Sequence, residues 1–193
     1  MNFRAARPAL CGLVLTALVA CTSSAPQRSG ATASSAAPAL PAVTACGAPV
    51  AFTENFVRVE LAPVRTAEGA RFLRGRFTPE RPGDHLYSKD LPADGIDGAG
   101  RPTRLWLEPA AAAGPAAALL ADQPLHDLAY PGFSRPFPVY PDGPVELRLP
   151  FTAPANDQPV TVHASYMACS STGSCLPPVD DHAVPLTLPA RCP

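Results

Sequence analysis

Cysteine is the residue type in this chain with the widest chemical reach. Of six cysteines, Cys46, Cys169, Cys175 and Cys192 fall where the sequence has strand patterning, while Cys11 and Cys21 belong to its apolar front end. A thiolate attacks disulfides and binds soft metals, and paired cysteines in an oxidising compartment form covalent bridges. Four cysteines allow three pairings. Cys46 and Cys192 bracket the patterned region, whereas Cys169 and Cys175 are separated only by Ser170-Ser171-Thr172-Gly173-Ser174. Closing a ring of about seven residues removes roughly 2.4 kcal/mol of unfolded-state freedom, and closing one of about 147 removes roughly 5 kcal/mol. A Cys46–Cys192 bridge would thus be the stronger staple, and a Cys169–Cys175 bridge the one whose reduction costs the fold less. The short ring also lies in a polar turn containing Gly173, just beyond a strand pattern, where a partner could reach it. Exposed, weakly structural disulfides are the type that exchanges. Spacing alone leaves two readings open, an exchangeable pair or a second structural bridge.

The front end reads as a targeting segment. Arg4 and Arg7 give a basic start, and residues 10–20 are apolar but too short for a permanent membrane-spanning helix. Leu18-Val19-Ala20-Cys21 resembles the lipobox of bacterial lipoproteins. That resemblance implies a signal peptide over residues 1–20, cleavage before Cys21, and a lipid anchor on Cys21. Thr22, rather than Asp, follows Cys21. By the sorting rule of Gram-negative lipoproteins, this implies the periplasmic face of the outer membrane. Residues 21–45 are rich in Ser, Ala and Pro with almost no charge, a composition expected of a disordered tether. No later apolar run is long enough to cross a bilayer, so the expectation is a chain anchored by lipid rather than spanning.

The elements that must hold the cysteines are strands. Net charge is −1, which leaves no basic footprint for nucleic acid, and 26 prolines disfavour long helices. Residues 46–193 have the length of one domain. Val57, Val59 and Leu61 alternate with Arg58 and Glu60; Leu105 and Leu107 with Arg104 and Glu108; Val145, Leu147 and Leu149 with Glu146 and Arg148. Val160, Val162, Ala164 and Tyr166 alternate with Thr161, His163 and Ser165. Period-two alternation is the signature of half-buried strands. Residues 72–77 and 184–188 are further candidates. Turn-rich stretches such as Asp94-Gly95-Ile96-Asp97-Gly98-Ala99-Gly100 and Pro141-Asp142-Gly143-Pro144 separate them. The expected fold class is all-β, a β-sandwich. Residues 109–122, mostly alanine and split by Gly114-Pro115, read as a surface insertion, and Trp106 as packing in or over the core.

The neighbourhood of the short cysteine pair is more specific. Val162-His163-Ala164-Ser165-Tyr166-Met167-Ala168-Cys169, five residues, Cys175-Leu176-Pro177-Pro178 and then Val184-Pro185-Leu186 resembles the amino-terminal periplasmic domain of the thiol:disulfide interchange protein DsbD. That family carries Tyr-x-x-Cys, five residues, Cys-x-Pro-Pro near the end of an immunoglobulin-like domain. Leu176 stands where the family often has an aromatic residue. The resemblance implies an immunoglobulin-like β-sandwich in which Cys175 is the attacking nucleophile and Cys169 the resolving thiol. It implies thioredoxin-like periplasmic partners and reductant from a membrane-embedded thiol carrier, here expected to be a separate protein. It implies no metal or organic cofactor. It also implies a cap loop with an aromatic shielding the pair, which places Phe133, or alternatively Tyr130, at that position. Tyr87, Tyr166, Pro177 and Pro178 are the matching site-lining residues. Tyr166 fits a core residue with a satisfied hydroxyl better than a catalytic group. Cys46 and Cys192 are left as the structural disulfide.

Two rival readings stand beside this one. The first is a non-catalytic β-sandwich envelope lipoprotein with two structural disulfides. The second is a copper-handling lipoprotein using His163, Met167, Cys169, Cys175 and His182, since soft ligands favour Cu(I). The sequence has no Cys-x-x-Cys or His-x-x-x-His array, and Asp180-Asp181-His182 reads as a solvated loop. It also has no Gly-rich phosphate loop and no Gly-x-Ser-x-Gly elbow.

Overall fold

The computed structural model describes residues 39–113 and 118–192. The signal segment, Cys21, most of the expected tether and Gly114-Pro115 lie outside the described residues. Thirteen strands follow in order: β1 Val43–Ala45, β2 Val50–Glu54, β3 Val57–Thr66, β4 Arg71–Pro79, β5 Asp84–Leu86, β6 Arg104–Glu108, β7 Leu120–Ala121, β8 His126–Leu128, β9 Phe137–Val139, β10 Val145–Pro150, β11 Gln158–Tyr166, β12 Ala168–Ser170 and β13 Val179–Leu188. One 3-10 turn covers Ala110–Ala112. No helix among the described residues is long and apolar enough to cross a membrane.

Two sheets make the sandwich. The larger runs β1-β3-β4-β10-β7, with β2 also paired to β3, and the smaller runs β13-β11-β6. Both are antiparallel throughout, so each strand presents alternate residues to the layer between them. Val57, Val59, Leu61, Leu73, Phe77, Val145, Leu147 and Leu149 enter that layer from one side. Leu105, Leu107, Val160, Val162, Ala164, Tyr166, Val184, Leu186 and Leu188 enter from the other. The sheets approach closely at Gly75, where an added Cβ would lie 2.5 Å from Cδ1 of Leu105. Cys46 and Cys192 are bridged across 146 positions of sequence, fastening the start of the domain to its end.

Four local readings need correction. Ordered chain begins ahead of Cys46: β1 completes hydrogen bonds along the end of β3, and the Pro41 carbonyl accepts from Nη1 of the buried Arg148 at 2.6 Å. A buried guanidinium needs acceptors, and Pro41 supplies one while Glu146 supplies a carboxylate 2.7 Å away. The alanine-rich segment is not wholly an insertion, because Leu120 and Ala121 pair with Arg148 and Leu147 at the sheet edge. Asp180, Asp181 and His182 belong to β13, not to a loop. Trp106 lies on the outer face, since Leu105 and Leu107 take the inward positions of β6, and it stacks on His163 with ring centroids 5.1 Å apart.

A second, smaller apolar cluster is separate from the main core. It comprises Tyr87, Leu91, Ile96, Phe137, Val139 and Cys169, with Ala99, Leu128, Tyr130 and Met167 packed against it. Its walls are the segment after β5, the β8–β9 hairpin and the β12–β5 ribbon.

Candidate active site

The short cysteine pair sits on its own hairpin. The register of β11 shifts between Ala164 and Tyr166, and the chain then leaves the smaller sheet as β12, which pairs with β5 so that Cys169 faces His85. The turn closes through three backbone bonds: Gly173 N–H to the Ser170 carbonyl, Ser170 N–H to the Ser174 carbonyl, and Leu176 N–H to the Ala168 carbonyl, each 2.9 Å. Gly173 has φ +86°, a conformation that a side chain would strain. Cys169 and Cys175 therefore meet as an antiparallel bridge and are joined by a disulfide, with Cα atoms 4.0 Å apart. Their environments differ sharply, for Cys169 is completely buried and Cys175 is exposed.

Tyr87 lies under the buried sulfur. Its backbone bridges to Val139, and its carbonyl accepts from the Thr103 hydroxyl at 2.8 Å, so the residue is fixed on both sides. Its own hydroxyl is 3.1 Å from Sγ of Cys169 and 3.9 Å from Sγ of Cys175. Disulfide sulfurs carry no proton, so the phenol is the donor. Burial, with the nearby Tyr130 phenol, pushes the Tyr87 pKa up to about 12, so it remains a donor at neutral pH. Its ring packs on Phe137 at 5.5 Å and on His85 at 6.0 Å. Burial also lowers the pKa of His85, against the pull of Asp142.

Cys175 opens onto a mostly apolar groove of about 430 Å³, which Tyr87, Tyr130, Phe133, Phe137, Met167 and Pro178 also line. Tyr130 donates its hydroxyl to the Ser170 carbonyl at 3.1 Å, and its ring lies against Gly173, so it leans on the cysteine hairpin. Phe133 meets Phe137 edge to face at 4.9 Å and is 37% exposed. Chemically, the arrangement offers one reachable sulfur beside an apolar groove and one protected sulfur held by a donor.

Among solved structures, the chain is similar to the amino-terminal domain of DsbD from Neisseria meningitidis in its reduced form. Identity is 19% and the TM-score 0.42, covering 60% of this chain and 76% of that one. No family model matches the chain, and no curated protein matches it.

Of the residues expected at the site, Cys169, Cys175, Tyr87, Tyr130, Phe133 and Pro178 come together. Pro177 lies in the short segment between the hairpin and β13, where its carbonyl accepts from Nδ2 of Asn55 at 2.9 Å. Tyr166 does not line the groove. It is buried in the main core, edge-on to Phe77 at 5.6 Å, with its hydroxyl donating to the Glu54 carbonyl at 3.1 Å. Its place on the inward face of β11 explains this. Of the residues weighed as copper ligands, Met167, Cys169 and Cys175 lie together, but neither histidine lines the groove. His163 pairs with Asp181 at 2.6 Å and Glu108 at 3.3 Å on the outer face. His182 pairs with Glu54 at 2.6 Å and stacks on Phe52. Among the described residues, no three His, Cys, Asp or Glu side chains cluster as a metal would need.

Sequence reasoning missed Phe137, and weighed Met167 only as a metal ligand rather than as a wall of the groove. Phe137 is the hub that touches Tyr87, Tyr130 and Phe133. Its only advance signal was the Phe-Pro-Val run before Tyr140. Met167 joins β11 to β12, where no strand phase assigns its side chain a face, and it packs against the smaller cluster.

Proposed function

We propose that this domain exchanges disulfides with partner proteins through Cys169 and Cys175, with Cys175 attacking and Cys169 resolving. The observation that carries the reading is the asymmetry of the pair: Cys175 is exposed on an apolar groove, while Cys169 is buried against the Tyr87 hydroxyl. In the reduced protein, the Cys175 thiolate attacks one sulfur of a partner disulfide, and the partner's other sulfur departs as a thiolate. Cys169 then attacks Sγ of Cys175, the mixed disulfide breaks, and the second partner thiolate leaves. Two electrons have passed to the partner, and the domain holds the Cys169–Cys175 bridge. A donor dithiol resets it: one donor thiolate attacks Cys175 with Cys169 as the leaving thiolate, and the donor's second thiol then attacks its own bridged sulfur, releasing Cys175 as a thiolate and leaving the donor as a disulfide. Tyr87 supports the reset because it places a proton donor at the sulfur on which negative charge develops.

The resemblance of the Tyr-x-x-Cys, five-residue, Cys-x-Pro-Pro stretch to the amino-terminal domain of DsbD supports the same reading, and with it thioredoxin-like partners and a membrane-embedded thiol carrier as the source of electrons. The lipobox-like Leu18-Val19-Ala20-Cys21 supports a lipid anchor that would keep the domain at the periplasmic face of the outer membrane.

The test combines two measurements. Dithiothreitol should open Cys169–Cys175 before Cys46–Cys192, and Cys169→Ser should accumulate a mixed disulfide between Cys175 and an oxidised thioredoxin-like protein. Equal resistance of both bridges, with no adduct, would leave a doubly stapled structural domain.

A further inference from the structure

The loop that carries Phe133 is exposed from Pro131 to Pro136 and contributes little apolar burial of its own. Something polar must hold it in place. One tie is the Tyr130 hydroxyl on the Ser170 carbonyl. The other is Asp97. Its Oδ2 accepts from the Ser134 backbone N–H at 2.7 Å, and its Oδ1 accepts from the Ser134 hydroxyl at 3.0 Å. The carboxylate thus grips the residue next to Phe133 with both oxygens.

Asp97 is delivered by a rigid platform. Ile96 and Ala99 exchange backbone hydrogen bonds at 2.8 and 3.0 Å, enclosing Asp97 and Gly98 in a two-residue turn. Both central residues have positive φ, +52° and +82°, as a type I′ turn requires and as Asp-Gly readily adopts. Ile96 is buried in the smaller core and roots the turn there. The accepted hydrogen bonds from Ser134 hold the Asp97 carboxyl below the usual carboxylate range, so it is ionised at neutral pH.

We infer that Asp97 is a positioning residue: through Ser134 it sets the resting place of Phe133 at the groove and so controls how fast a thiol reaches Cys175. This deepens the exchange reading and rests on it for its biological meaning, although the latch can be measured without any partner protein.

The test follows the rate at which dithiothreitol opens Cys169–Cys175 in the full-length protein, read by alkylation and mass, with Cys46–Cys192 as the internal control. Asparagine keeps the turn but loses the second acceptor and the charge. Asp97→Asn should therefore speed opening by about three- to tenfold, the worth of one or two hydrogen bonds. Phe133→Ala should do the same, and Asp97→Asn combined with Phe133→Ala should be no faster than Phe133→Ala alone, because the latch acts through that ring. An unchanged rate in Asp97→Asn, multiplying effects in the double variant, or equal acceleration of both disulfides would overturn the latch. Failure of Cys169→Ser to trap a partner would instead count against the exchange reading.

Discussion

The Tyr87 hydroxyl donates to Sγ of Cys169 across 3.1 Å, so the sulfur without solvent access has a fixed proton donor. A buried thiolate without such a donor is strongly disfavoured, because desolvation opposes charge. On the proposed exchange reading, this pairing would let Cys169 leave as a thiolate from a site that water does not reach.

Tyr87→Phe keeps the ring against Phe137 and removes only the donor. The reduction of Cys169–Cys175 by a monothiol should slow by about tenfold, in line with the worth of a hydrogen bond to a charged group. The Cys169 thiol in the reduced variant should titrate at higher pH than in the parent. Stopped alkylation at a series of pH values reads both. A variant as fast as the parent would remove Tyr87 from the chemistry and leave it as packing.

Burial also predicts which thiol an alkylating agent finds. In the reduced protein, iodoacetamide should modify Cys175 at least about tenfold faster than Cys169, since only the accessible thiolate is a nucleophile toward a reagent in solution. Peptide mass spectrometry after short exposure measures the ratio. Equal labelling would show that reduction opens the hairpin and that the asymmetry belongs to the oxidised state alone.

His85 pairs with Cys169 across the β5–β12 ribbon and is 1% exposed, and Nε2 has no hydrogen-bond partner among the described residues. Its folded-state pKa is depressed, first by burial, with Asp142 opposing. The sign follows from linkage. The unfolded chain takes up a proton as pH falls through about 6.5, whereas the folded protein does so only at lower pH, so stability is full above that value and declines below it. His85→Phe should flatten this decline between about pH 7 and pH 5 in urea titrations compared with the parent. Parallel curves for the two proteins would assign the pH dependence to other groups.

The strands were legible because they obey one periodicity over long stretches. Val57, Val59 and Leu61 on β3, and Val160, Val162 and Ala164 on β11, each declare an inner and an outer face without reference to anything distant. The same logic, applied fully, would have put Trp106 outside, since its neighbours Leu105 and Leu107 claim the core. The site was legible only at the cysteines and the aromatic residues near them. Asp97 and Ser134 are 37 positions apart, and Tyr87 and Cys169 are 82 apart. Neither pairing leaves any local pattern, because each joins segments far apart in sequence that only the folded chain brings together. Tyr166 illustrates the converse: the Tyr-x-x-Cys match set it beside the site, while strand phase gave it the core place, with a satisfied hydroxyl, that the residue type also suggested.

Gly75 carries the last prediction and tests the sandwich itself. It faces Leu105 across the two sheets, and a Cβ there would come within 2.5 Å of Leu105 Cδ1 and 3.3 Å of Phe77 Cε2. Leu105 is 4% exposed and Phe77 fully buried, so neither has free space to retreat into. Gly75→Ala should cost about 1–3 kcal/mol, the range for overpacking a filled core. Leu105→Val shortens the side chain that collides. Alone it should be mildly destabilising, but added to Gly75→Ala it should recover part of the loss, giving a coupling energy of about 0.5 kcal/mol or more. Urea unfolding of the four proteins completes the cycle. Strict additivity would mean that the sheets separate slightly to admit the methyl group, and that Gly75 does not set their spacing.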